Sequence, residues 1–381
     1  LLLAPERYRP TVYPFSALVG QELLRLALLL NAVDPRIGGV LISGQKGTGK
    51  STAVRALAGI LPRIEVVDGC PFHCDPSGGG DPCHRCRTRL RSGEKLPARR
   101  TPVEVITLPL NATEDRLAGS IDLEQALKSG RARFRPGLLA EANRNILYID
   151  EVNLLENHLA DILLDVAVTG LNIVQREAIS HLHPSRFVLA ATMNPEEGEI
   201  RPQLLDRFGL AAPVAGIDEA EKRREIMRRQ EQFEADPPSF LARWQKEQNA
   251  LTDTIIKARD LLGRVTIPGD LVRAIADICR ANRVAGHRAD IVMERTARAL
   301  AALRGRSRVE PGDIETAAQL ALPHRRREPT MVHAERAEAA PSAEATDAVQ
   351  KLRREGPEEE SGEPPKGAEQ KPGAKAGQEE M

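Results

Sequence analysis

Short apolar runs alternate with helical periodicity through the first half of the chain. Residues 38–43 (GGVLIS) are apolar and β-branched, a glycine-rich stretch follows, and apolar positions then recur at helical spacing over 52–61. The pattern predicts a strand, a loop and a helix. Residues 145–150 (NILYID) and 186–191 (RFVLAA) predict two more buried strands, and 157–168 between them predicts a helix with Leu159, Ile162, Leu163 and Val166 on one face. Strands alternating with helices imply an α/β unit whose parallel sheet is covered on both sides. Phosphate ligands then belong at the carboxyl ends of the strands.

After Pro213 the strands vanish and charged helical patterns run from about 219 to about 321. Asp218 is the expected N-cap of the first helix. Pro268-Gly269 opens another, with Leu271, Ile275 and Ile278 on one face; 291–303 is Ala-rich and amphipathic, and 311–320 begins with Pro. These predict a helical lid. Beyond Pro329 aromatics are absent and Glu, Pro, Gly, Ala and Lys dominate, so that segment cannot bury enough surface to offset its chain entropy. The expected organisation is an α/β nucleotide-binding domain over 1–213 with a Cys-rich insertion at 68–100, an all-α lid over 214–328, and a disordered tail over 329–381.

Composition sharpens this only slightly. With 381 residues, 41% of them hydrophobic and 3% aromatic, the chain can bury one large core and a smaller second one. Lys plus Arg equals Asp plus Glu, so no global field marks a nucleic-acid or membrane binder. No apolar run approaches the ~18 residues of a membrane span, and the opening LLLA is too short for a signal segment, so a cytoplasmic location is expected.

The chemistry concentrates in a few places. Gly44-Gln45-Lys46-Gly47-Thr48-Gly49-Lys50-Ser51 satisfies G-x-x-x-x-G-K-[ST] between a predicted strand and a predicted helix. Its glycines let backbone N–H groups turn toward phosphates, Lys50 can reach the β- and γ-phosphates of ATP, and the Ser51 hydroxyl can ligate Mg²⁺. Asp150-Glu151 leaves the second strand: Asp150 is assigned to the metal and Glu151 to the general base. Asn194, after the third strand, can orient the lytic water, although a turn Asn before Pro195 fits the same residues. Arg207, in LDRFG, suits transition-state charge neutralisation from a neighbouring subunit, against a local salt bridge to Asp206 or Glu199.

Cys70, Cys74, Cys83 and Cys86 fall within seventeen residues, with His73 and His84 interleaved. Two short-spaced pairs can close around Zn²⁺; a redox-active or free thiol cluster, or transient handling of a substrate metal, fits the spacing too. Cys279 reads as a small buried hydrophobe.

The order of motifs resembles AAA+ ATPases, and the text between them resembles the magnesium chelatase I subunit: residues 15–21 (FSALVGQ), 31–40 (NAVDPRIGGV), 112–116 (ATEDR), 134–139 (FRPGLL), 150–155 (DEVNLL), 193–199 (MNPEEGE) and 201–209 (RPQLLDRFG). The resemblance runs from about Tyr13 to about Leu322. It implies a hexameric ring whose ATP cycle drives a separate large catalytic subunit to insert a divalent metal into a tetrapyrrole. It also implies Arg207 as the arginine finger and Arg288, in GHRADI, as the lid arginine called sensor 2. The cysteine cluster and the acidic, Pro-rich tail look more like the I-like half of fused I/D cobaltochelatase proteins, where such a linker leads to a von Willebrand-type D domain, so magnesium and cobalt both remain open. A MoxR-like AAA+ chaperone is the alternative. A nucleic-acid remodelling ATPase fits poorly with neutral charge and few aromatics.

Overall fold

The computed structural model describes residues 11–122, 133–176, 179–284 and 286–325. The tail expected over 329–381 lies outside them. Helix α1 (Glu22–Val33) leads through a short 3₁₀ turn to β1 (Val40–Gly44) and α2 (Lys50–Ala58). Then β2 (Ile64–Val67), α3 (His84–Arg91) and β3 (Ala98–Thr101) form the cysteine-bearing insertion ahead of β4 (Val105–Leu108). Next come α4 (Glu114–Ala118), an antiparallel ribbon of β5 (Gly119–Asp122) and β6 (Arg133–Pro136), α5 (Leu138–Ala142) and β7 (Ile146–Ile149). After α6 (Asn157–Thr169) a second ribbon, β8 (Leu171–Arg176) with β9 (Ile179–Pro184), precedes β10 (Val188–Met193), α7 (Pro202–Leu205) and β11 (Leu210–Val214). From there the described chain is helical: α8 (Ala220–Ala235), α9 (Pro237–Leu262), α10 (Gly269–Ala281), α11 (Arg288–Leu303) and α12 (Pro311–Ala321).

Five strands pair in the order β11-β1-β10-β7-β4, all parallel. Every residue of β7 and β10 is buried, which is why both read as nearly unbroken apolar runs. Two strands begin two residues later than the apolar pattern suggests. Gly38 and Gly39 hold φ of 102° and 91°, so they belong to the turn before β1, where a Cβ on Gly39 would meet the Leu189 side chain at 2.8 Å. Arg186 likewise precedes β10, its N–H donating to Asn143 Oδ1 at 2.9 Å rather than to a sheet neighbour.

Successive residues of each strand point to opposite faces. Leu41, Leu147, Ile149, Leu189 and Ala191 pack with Leu159 and Leu163 of α6 on one side. Val40, Ile42, Ile146, Tyr148 and Ala190 pack with α1 and α2 on the other, and that cluster continues unbroken through Ile255, Ile275, Met293 and Leu300 of the later helices. The large and small cores expected from composition are therefore divided by the sheet rather than by a domain boundary. Helix α1 makes the connection, because it is buried against the sheet and against α9 and α11 together.

Asp218 does not cap α8. That helix starts at Ala220 with Glu219 at its N-cap and no side-chain cap, while the exposed Asp218 carboxylate lies 4.0 Å from Arg223. Side-chain capping appears instead at Asp236, which accepts from Ser239 N at 3.1 Å, and in the reciprocal Glu310–Asp313 box of α12. Cys279 is buried, its Sγ 3.6 Å from Met293 Sδ, and burial pushes its thiol up to about 12. Among the described residues no helix is long and apolar enough to cross a membrane.

Candidate nucleotide site

The phosphate loop joins β1 to α2 at the carboxyl edge of the sheet. Gly44 ends β1 where a Cβ would stand 2.1 Å from the Val214 carbonyl oxygen, so only glycine lets β1 and β11 close here. Gly47 and Gly49 take φ of 81° and 79°, and no atom lies within 4 Å of a Cβ built on Gly47. This left-handed, open turn presents backbone N–H groups to a ligand at the start of α2. Lys50 folds back onto the loop, donating to the carbonyls of Gly44 and, at 2.7 Å, Gln45. Burial lowers its pKa. Gln45 Nε2 reaches Glu196 Oε1 at 3.2 Å, and Thr48 Oγ1 donates to the Gln45 carbonyl at 2.9 Å.

Two cavities flank this loop. One, of about 320 Å³, is lined by Lys46, Lys50, Ser51, Asp150, Glu151 and Asn194, among others. Thus the phosphate loop, the acidic pair and the polar strand end converge as their order in sequence suggests. The other, of about 330 Å³, runs past Gly49 to Tyr13, Leu18, Val19 and Ile217, an apolar cleft sized for a base and sugar. Gln21 Nε2 donates to the Thr48 carbonyl and ties the loop to this second cleft. Leu18, Val19 and Gln21 fall in the 15–21 segment that carries the resemblance, but nothing in the sequence marks them, Tyr13 or Ile217 as nucleotide contacts.

Asp150 is held by two hydroxyls: Tyr148 Oη donates to Oδ1 at 2.8 Å and Thr192 Oγ1 donates to the same atom at 2.5 Å. Burial is the main reason the Tyr148 phenol is pushed up, so it stays a donor. Thr192 also accepts the Glu151 N–H at 3.1 Å, which joins the ends of β7 and β10. Glu151 adopts φ of 53°, a left-handed conformation that costs a residue with a Cβ and is held here by those bonds. Its carboxylate lies 3.4 Å from Lys46 Nζ, which also pairs with Glu197. Asn194 is buried and caps the short turn 195–197, its Oδ1 accepting from Glu196 N at 3.2 Å. The turn reading of Asn194 and its place in the cavity are thus compatible.

Arg207 and Arg288 lie elsewhere, and neither lines either cavity. Arg207 precedes β11, at the amino ends of the strands, and Arg288 opens α11 beside it, donating from Nη2 to the Arg207 carbonyl at 3.1 Å. Five residues of β1 at about 3.3 Å each separate this edge from the phosphate loop. The Asp206 carboxylate faces Arg325, 3.4 Å from its Nε. Arg325 also donates to the carbonyls of Phe208 at 2.5 Å and Gly209 at 2.9 Å, while His324 Nε2 meets the Phe208 carbonyl at 2.9 Å. Burial lowers Arg325 to about 10 and His324 to about 3. This clamp was not anticipated.

The sequence 92–208 matches the AAA domain (dynein-related subfamily), and 272–351 matches the AAA lid domain. The chain is 52% identical over 331 residues to the magnesium-chelatase subunit ChlI homolog of Methanocaldococcus jannaschii, covering 86% of this chain and 90% of that protein. The chain belongs to the magnesium-chelatase ChlI family. It is accordingly an AAA+ ATPase. Two further members of the family are the ChlI subunit of Synechocystis, 50% identical with 86% and 91% covered, and chloroplastic ChlI of Nicotiana tabacum, 51% identical with 85% and 76% covered. A chain in the solved complex of the BchI and BchD subunits of magnesium chelatase is 46% identical, with 84% and 98% covered and a TM-score of 0.49.

The four cysteine thiols meet as a compact group. All four Sγ atoms lie within 4.8 Å of one another, three of the residues are buried, and none is in a disulfide. Hydrogen bonds from the Cys74 and Cys83 thiols hold the Cys70 thiol well below its ordinary range, while burial and the Cys70 charge push Cys86 up to about 12. The interleaved histidines stand aside: His73 Nδ1 pairs with Asn145 Nδ2 at 3.3 Å, and His84 is exposed.

Proposed function

We propose that this ATPase is the motor subunit of a magnesium or cobalt chelatase, acting as a cytoplasmic hexameric ring. Through a von Willebrand-type D subunit or domain, its turnover drives a large catalytic subunit to insert a divalent metal into a tetrapyrrole. What supports the ring is the position of Arg207 and Arg288 at the amino ends of the strands, opposite their own phosphate loop, from which we assign both to a neighbour's nucleotide. About half identity to chelatase subunits across most of the chain supports the chelatase assignment, and the relatives' names favour magnesium as the substrate metal.

The residues fit ATP with Mg²⁺. The open Gly47 turn and the N-terminus of α2 would cradle the phosphates, with Lys50 released from its carbonyls onto the β- and γ-phosphate oxygens. Bound Mg²⁺ would supply charge neutralisation between those phosphates. Ser51 and the Asp150 oxygen not taken by Tyr148 and Thr192 would hold it. Glu151 accepts a proton from the attacking water, which Asn194 orients, and Arg207 and Arg288 of the next subunit neutralise charge on the transferring group. Residues 214–328 act as the lid. Beside ATP and Mg²⁺ we assign a structural Zn²⁺ to Cys70, Cys74, Cys83 and Cys86.

The test is reconstitution of the full chain with a D subunit and a large chelatase subunit, following tetrapyrrole absorbance with Mg²⁺ or Co²⁺ supplied. Metal insertion that needs ATP and all three chains is expected; ATP hydrolysis with no insertion of either metal would overturn the chelatase reading.

A further inference from the structure

We infer that the zinc ion held by Cys70, Cys74, Cys83 and Cys86 fixes Phe72 as the seat on which the β5–β6 and β8–β9 ribbons pack. The inference rests on the zinc assignment and adds what the ion is for. A tetrahedral Zn²⁺ with Zn–S bonds of about 2.3 Å sets its sulfurs about 3.8 Å apart. Cys70 Sγ lies 3.9 Å from Cys83 Sγ and 3.7 Å from Cys86 Sγ. The left-handed backbone at His73, φ 46°, curls the chain so that Cys74 returns toward Cys70. The Cys83 N–H then donates to Cys74 Sγ at 3.2 Å, which holds the second pair against the first.

Arg144 pairs with Asp75 and Arg186 with Asp81 to tie the insertion to the main body, but its own core is small. Its buried cluster is Val67, Phe72, Cys74, Cys83, Cys86 and Leu96 with Ala140 beneath, so three of seven members are thiols. A core this small needs a crosslink, and a metal provides one.

Phe72 lies between the first two cysteines, buried in the same cluster as the thiols. Its carbonyl accepts from Asn143 Nδ2 at 2.7 Å, next to the start of β7. Its ring stacks on His183 of β9 at 4.7 Å and on Phe134 of β6 at 6.3 Å, while Phe134 stacks on His181 at 4.0 Å. Both ribbons therefore meet one side chain whose backbone is bracketed by metal ligands. Asn172 Nδ2 of β8 also donates to the Ala118 carbonyl at the end of α4, one residue before β5, at 2.7 Å. Without the ion, the Cys70–Cys74 turn loosens, Phe72 loses its fixed height, and the stack has no floor.

The experiment combines metal analysis with amide hydrogen exchange on the full chain. Protein purified without chelator should carry about one zinc per chain. Removing it by chelation should speed exchange in β5, β6, β8 and β9 by about tenfold or more while α2 stays protected. Cys83→Ser should lower the zinc content and loosen the same ribbons; where it fails to fold, Phe72→Ala, which should keep the zinc and loosen those ribbons, carries the test. Zinc-free protein with four reactive thiols would overturn the metal site itself. Bound zinc whose removal leaves ribbon exchange unchanged, or a Phe72→Ala chain with native ribbon protection, would overturn the seating role alone.

Discussion

Arg325 donates from Nη2 to the Phe208 carbonyl at 2.5 Å, across 117 residues of chain, and so fixes the backbone one residue beyond Arg207. With Arg288 on the Arg207 carbonyl itself, two guanidiniums from the helical half hold a segment of the α/β half. The first prediction follows. Arg325→Ala should lower kcat by about tenfold to a hundredfold, the scale of a misplaced catalytic group, while KM for ATP changes little, because Arg325 touches neither nucleotide cavity. Arg325→Lys should recover part of the loss. A variant with unchanged kcat, or one whose KM alone rises, would contradict the positioning role.

Glu151 supports a sharper expectation. Glu151→Gln keeps the side chain's size and a polar contact for Lys46 but removes proton acceptance. Nucleotide binding should persist while turnover falls by about 10²- to 10⁴-fold. Turnover at the original rate would remove Glu151 from the mechanism.

Thr192 offers a test of how the metal-side carboxylate is held. Thr192→Val deletes a 2.5 Å bond to Asp150 and the acceptor for the Glu151 N–H in one step. Because Glu151 sits at positive φ, losing that acceptor should relax it, and kcat should drop by about tenfold or more. Val is nearly isosteric, so the fold should persist. A Thr192→Val enzyme with wild-type kcat would show that Tyr148 alone suffices to orient Asp150.

Two histidines set a pH dependence of stability. Burial lowers His183 to about 4 and His324 to about 3, below the unfolded value near 6.5. Between those limits the unfolded chain binds more protons, so stability is complete above about pH 6.5 and falls as pH drops toward 4, by up to about 1.4 kcal/mol per pH unit for each group. Urea midpoints at pH 7.5 and 5.5 measure this. His183→Gln should reduce the difference and leave the His324 share, since an amide can still accept from Asn172 without titrating. An equal pH dependence in wild type and variant would contradict it.

The nucleotide cavity was legible in sequence because each part is local: a strand end, a glycine turn and a helix start lie within a dozen residues, and Asp150 and Asn194 follow strands that pair with β1 directly or through one neighbour. The β5–β6 and β8–β9 ribbons were not, because their strands are short and their partners are aromatic stacks rather than a continuous apolar face. Arg325, His324 and the Tyr13–Ile217 cleft escaped for a different reason. An Arg or His near a helix end carries no local mark of a carbonyl partner some 116 residues earlier. Thr192 did carry a mark, a hydroxyl inside an otherwise apolar buried strand. The cysteine spacing indicated a cluster, and folding made it compact while setting both histidines aside.

The central claim is that each active site is completed by the next subunit. Arg207→Ala and Lys50→Ala chains should each be nearly inactive alone. Mixed in equal amounts, with ring assembly confirmed for the mixture, about one interface in four joins an intact Lys50 to an intact Arg207. ATPase activity of up to about a quarter of the wild-type rate should therefore return. No recovery at any mixing ratio would contradict the account.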